Sequence, residues 1–178
     1  KRIILKTTRG FDQMSSQNCW IFGTLNMLET NFLEKNKNIQ APRVELSRWY
    51  LNLGESSYYQ RGVTIDAINY YSKQTGFVSI EDESDELIDS TTFLMKAMTP
   101  FELRLKMLDG FEYTSYAFDS TKRGWGDHVD VDRLDGSQSY YLPKESFHEL
   151  VKVALTAGKS LTYYANGHII QLYGAEYA

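Results

Sequence analysis

The sequence predicts an α+β protein with a helical front half and a back half rich in β-structure. Three observations lead there. Apolar residues Ile21, Leu25, Leu28 and Phe32 recur at helical spacing and form one stripe. A second stripe, Phe147, Leu150, Val151, Ala154 and Leu155, is closed by Gly158. Beyond it, residues Leu161–Ala165 and His168–Tyr173 are partly β-branched or aromatic and flank Asn166-Gly167, a tight-turn pair.

Taken in order, the polar, aperiodic stretch from Gly10 to Asn18 reads as a loop that feeds a helix starting around Cys19. A second helix is expected from Val44 to Leu53, behind Pro42. A third begins near Thr64, carries Ile65, Ile68 and Tyr71 on one face, and stops at Gly76. Thr99-Pro100-Phe101-Glu102 has a capping-box pattern with Pro at the first helical position, so a helix runs to Leu108 and ends at Asp109-Gly110. Residues 111–141, rich in Tyr, Gly, Asp and Ser, read as loops with short strands. Pro143 then opens the helix that Gly158 closes.

The 178 residues fit one domain, or two small lobes sharing a cleft, and suffice to bury a core. Apolar residues at 42% and charged residues at 24% are ordinary for a globular protein. The 13 Tyr and 9 Phe suit strand packing and peptide-binding clefts alike. A net charge of −4 argues against a dedicated nucleic-acid binder. The run Glu81, Asp82, Glu83, Asp85, Glu86 and Asp89 reads first as a solvated face, and secondly as an acidic rim favouring basic substrates. No apolar stretch approaches the roughly 20 residues of a membrane span. One cysteine allows no disulfide within the chain, which fits a reducing compartment or an exported bacterial product. The chain starts at Lys1 rather than Met, so a preceding segment is expected to have been removed, and localisation stays open.

A lone cysteine is ordinarily a small buried hydrophobe. Cys19, however, opens a helix, where unpaired N–H groups and the helix dipole favour the negative charge of a thiolate. The polar residues Gln13, Ser15, Ser16, Gln17 and Asn18 before it place the thiol near water. Acyl transfer also needs a base and an oxyanion hole. Of the three histidines, His128 falls in a Gly/Asp-rich loop and is expected to be exposed. His148 falls on a helix surface, one position past the apolar stripe. His168 opens an apolar strand, where a ring can be held beside a cleft, and is the best placed of the three. Their spacing shows no metal-ligand pattern, and no metal or cofactor is expected.

The run Asp12-Gln13-Met14-Ser15-Ser16-Gln17-Asn18-Cys19-Trp20-Ile21-Phe22 resembles the nucleophile segment of papain-like cysteine peptidases, and most of all their bleomycin hydrolase and aminopeptidase C branch. Gln13, Cys19, Trp20 and Phe22 fall on that segment's oxyanion glutamine, nucleophile and following aromatics. Further matches come in order. Glu45-Leu46-Ser47 with Tyr50-Leu51 resembles the family's Glu-Leu-Ser helix. Arg61-Gly62-Val63 resembles the glycine strip that pairs with substrate backbone. Tyr141-Leu142-Pro143, Ala154-Leu155 and Gly158-Lys159-Ser160-Leu161 resemble the approach to the histidine strand. Gly167-His168-Ile169-Ile170 with Tyr173-Gly174 resembles that strand itself. The Cys19–His168 separation lies at the upper end of the roughly 130–150 residues of papain-type enzymes. Residues from about 81 to 140 are unmatched.

Two departures stand out. Ser16-Gln17-Asn18 replaces a Cys-Gly-Ser run, which removes a disulfide but not the catalysis. The family's third member, an Asn in an Asn-Ser-Trp context, is absent. Truncation after Ala178 is the favoured expectation; otherwise another group orients His168, or the protein is inactive.

The resemblance implies a single papain-like catalytic domain. Its helical N-terminal lobe would span about 11–80 and its antiparallel β-rich lobe about 111–178, with a cleft between them. It implies peptide-bond hydrolysis by a Cys19 thiolate and His168 base, an oxyanion held by Gln13 and the Cys19 N–H, and substrate backbone held at Gly62. Trp20 and Phe22 are expected to pack in the core. Single-domain size favours an endopeptidase over an aminopeptidase. The implied partners are a peptide or protein substrate, with a propeptide or protein inhibitor as a further option. An inactive papain-like binding domain and a Cys-His acyl transferase on the same scaffold are the alternatives.

Overall fold

A computed structural model describes residues 1–8, 18–39, 44, 62, 64, 66–68, 107–108, 110–117, 127–132 and 146–178. Within them the chain is α+β with antiparallel sheets, as the sequence predicts. The expected loop before Cys19, the rest of the helix from Val44, the stop at Gly76 and the acidic run at 81–89 lie outside the described residues.

The elements are β1 (Arg2–Ile4), α1 (Cys19–Lys35), β2 (Tyr113–Ala117), β3 (His128–Asp132), α2 (Phe147–Thr156), β4 (Leu161–Ala165), β5 (His168–Leu172) and β6 (Gly174–Glu176). Four strands make one sheet in the order β2-β3-β4-β5, and β1 pairs with β6 separately. The β4–β5 hairpin turns at Asn166 (φ 52°) and Gly167 (φ 76°). Two successive positive φ values are what a tight turn between right-twisted strands requires, and Asn-Gly supplies them at least cost. Helical residues 107–108 are followed by Gly110 at φ 68°, in keeping with the stop expected at Asp109-Gly110.

Strand pleating separates two cores. Tyr164 and Ile169 join Trp20, Ile21, Leu25 and Leu28 of α1 on one face of the sheet. Val129, Val131 and Leu161 join Val151, Ala154 and Leu155 of α2 on the other. Burial, rather than capping, holds α1. Asn18 makes no side-chain cap bond, which would contribute only about 1 kcal/mol. Trp20, Ile21, Leu25, Leu28 and Leu33 are each at most 1% exposed, and each such side chain contributes roughly 1.5–3 kcal/mol.

Two expectations are corrected. The front of the chain is not purely helical, since Arg2–Ile4 is a strand paired with Gly174–Glu176. His128 is not an exposed loop residue. It opens β3, is 5% exposed, and stacks on Tyr164 with ring centroids 5.0 Å apart. The alternation His128-Val129-Asp130-Val131-Asp132 puts the valines towards α2, so the polar residues occupy the opposite face and are buried there.

Candidate active site

Cys19 is the first residue of α1 and a free, half-buried thiol. The Asn18 carbonyl accepts from the N–H groups of Ile21 (2.9 Å) and Phe22 (3.1 Å), so the Cys19 N–H precedes the first intrahelical bond. No acidic residue sits in the first turn to oppose negative charge at this end.

The next residue, Trp20, is 1% exposed, and its ring forms a wall for Gly62. A Cβ on Gly62 would lie 2.7 Å from Trp20 Cδ2. Only glycine lets the main chain run this close to the indole. The Gly62 backbone is therefore held against the side chain adjacent to Cys19. Phe22 lies in the same core, so both aromatics after the cysteine serve packing, as expected.

His168 is the first residue of β5 and is exposed. The helix lies along this strand, and the contacts fix their relative direction. Gly23 meets Ile169, with an added Cβ only 2.8 Å from Ile169 Cγ2. Farther along both elements, Gln171 Nε2 donates to Asn26 O (3.1 Å), Thr30 Oγ1 (2.8 Å) and Ser160 Oγ (2.9 Å). The N-terminal ends of α1 and β5 thus point the same way, and Cys19 and His168 both occupy that end. Ile169 and Gln171 face α1, so the pleat turns the Cβ of His168 towards the opposite face. Gln13 lies outside the described residues.

A buried polar chain links Thr64 to β4 and β3. Thr64 Oγ1 and Thr162 Oγ1 are 2.9 Å apart, and Thr162 donates to Asp130 Oδ2 at 3.5 Å. His128 Nε2 lies 3.3 Å from the same Asp130 oxygen. Thr64, Asp130 and Thr162 are fully buried. Sequence reasoning passed over this chain because His128 and Asp130 fall in a Gly/Asp-rich stretch. The signal that could have found it is the period-two placement of Val129 and Val131.

A concavity of about 410 Å³ lies elsewhere, at β1, β6 and the C-terminal end of β5, lined by Arg2, Ile4, Tyr173 and Glu176 among others. It is at the far end of β5 from His168. Among the described residues no three His, Cys, Asp or Glu side chains gather as a metal ion would require, and no helix is long and apolar enough to cross a membrane.

No protein-family model, curated protein sequence or solved structure matches the chain.

Proposed function

We propose that the chain is a papain-like cysteine peptidase, in which Cys19 attacks the peptide carbonyl and His168 moves the protons. The observation that carries this reading is the setting of Cys19. It is a half-buried thiol opening a buried helix, with the Gly62 backbone packed on its neighbour Trp20. The helix also lies along the strand that His168 heads. The Cys19 N–H and Gln13 would hold the oxyanion. A thiolate at a helix N-terminus is chemically suited to acyl transfer, and Gly62 offers an N–H and a C=O to an extended peptide. An endopeptidase acting on peptide or protein substrates is the form favoured.

The test is covalent labelling by a peptidyl epoxide that targets papain-type thiols, together with hydrolysis of peptide substrates. Labelling and hydrolysis that both vanish in Cys19→Ala support the proposal. A chain that carries its natural C-terminus and yet neither labels nor hydrolyses any peptide would sink it.

One observation favours a second reading, a papain-like binding domain without activity. The pleat directs His168 away from the face on which α1 packs. Peptide binding that survives Cys19→Ala, without turnover in the unaltered chain, would establish that reading instead.

A further inference from the structure

We infer that Thr64, Thr162, Asp130 and His128 form a buried tether that positions the Gly62 strip for the backbone of a bound peptide, an inference that rests on the peptidase reading above. The geometry comes in three links. Gly62 is pressed on the Trp20 ring and cannot retreat towards α1. Two residues later, Thr64 shares a 2.9 Å hydroxyl–hydroxyl bond with Thr162 in β4, and both side chains are fully buried. Thr162 in turn donates to Asp130 in β3, whose same oxygen lies 3.3 Å from His128 Nε2.

Thr162 joins the two contacts: its hydroxyl oxygen is 2.9 Å from that of Thr64 and 3.5 Å from Asp130 Oδ2. His128 Nε2 lies beside the same oxygen of that acid, and its ring stacks on Tyr164. Gly62 thus rests on an indole, and Thr64, two residues on, is tied to a polar chain rooted in two strands.

Such a tether matters for recognition more than for thiol chemistry. A peptide held by main-chain hydrogen bonds needs the N–H and C=O of Gly62 at fixed places, within a few tenths of an ångström. Alkylation of Cys19 by a small reagent needs no strip. The four residues are positioning residues, since they act through Gly62 and do not touch the reacting atoms.

The experiment compares two rates of Cys19 modification, by iodoacetamide and by a peptidyl epoxide, in the full chain. Thr64→Val and Thr162→Val preserve shape but remove the hydroxyl. Each is expected to slow the peptidyl reagent roughly 10- to 100-fold while leaving iodoacetamide within about twofold of the unaltered chain. Thr64→Ser and Thr162→Ser, which keep the hydroxyl, should restore the peptidyl rate. If peptide hydrolysis is followed, the loss should fall on KM more than on kcat. Should Thr64→Val not fold, Thr162→Val and the two serine variants carry the comparison. Valine variants that keep the full peptidyl rate, or lose both rates equally, overturn the tether. Serine variants as slow as the valine ones overturn it too. An unaltered chain that reacts with iodoacetamide but shows no preference for the peptidyl reagent overturns the peptidase reading itself, and this inference with it.

Discussion

Gly23 and Ile169 are in such close apposition that a methyl group on the glycine would lie 2.8 Å from Ile169 Cγ2. This contact seats α1 on β5 and sets how far the end carrying Cys19 lies from the strand headed by His168. In an ordinary helix interior, Gly→Ala is stabilising by roughly 1 kcal/mol. Here the extra carbon is expected to reverse the sign, because overpacking costs about 1–3 kcal/mol. Urea denaturation of Gly23→Ala, Ile169→Ala and the double variant would show the coupling. The double variant should be more stable than the sum of the single losses allows; strict additivity would count against the contact.

Gly62 makes the harder case, because the obstacle is a rigid ring. A Cβ there would meet Trp20 Cδ2 at 2.7 Å and Cε3 at 2.8 Å. Gly62→Ala is therefore expected to destabilise by about 1–3 kcal/mol. It should also slow the peptidyl epoxide more than iodoacetamide. A neutral Gly62→Ala in both stability and labelling would mean that the strip does not rest on the indole.

Thr8 donates to Glu29 Oε2 at 2.8 Å, and Glu29 is fully buried within α1. Removing a donor from a buried carboxylate costs about 1–3 kcal/mol. Thr8→Val should lose that much in equilibrium unfolding, whereas Thr8→Ser should stay near the parent. Equal losses from both would assign the effect to packing rather than to the hydrogen bond.

Glu34 supplies a pH dependence. Burial pushes its carboxyl up, but the ammonium group of Lys37 and the Lys6 N–H, with the Lys6 charge, outweigh it and leave the group below its ordinary 4.5. A lowered value in the folded chain means that the unfolded state takes up a proton first as pH falls. The contribution is thus present above the ordinary carboxylate range and is lost as pH drops through the folded value. The stability difference between the parent and Glu34→Gln should be present at neutral pH and vanish in acid. A difference that persists unchanged at low pH would exclude this linkage.

Where a local pattern decided an element, the sequence was enough to read it. The stripe from Ile21 to Phe32 gave α1, observed as Cys19–Lys35. Asn166-Gly167 gave the β4–β5 hairpin, since its backbone demands are met by few residue pairs. What escaped was set by distant partners. Arg2–Ile4 is too short to show alternation and becomes a strand only because Gly174–Glu176 lies beside it. His128 was misplaced because its polar neighbours suggest a loop, while Val129 and Val131 turn those neighbours inward on a face buried by other elements. Cys19 and Gly62 could be singled out as residues; that Gly62 backs onto Trp20 is a tertiary fact.

The pairing of β1 with β6 has a temporal side. Leu5 N–H reaches the Tyr173 carbonyl at 2.9 Å, and the Lys1 carbonyl accepts from Tyr177 N–H at 2.7 Å. A ribosome delivers Arg2–Ile4 well before its partner Gly174–Glu176, with the intervening chain made between them. This strand is therefore made long before it can be paired with β6. Until Gly174–Glu176 clears the exit tunnel, the exposed Ile4 and its open main-chain groups are available to whatever else can add a strand. A chaperone, or a segment that shields this edge during synthesis, would act on that interval and leave no trace in the finished sheet.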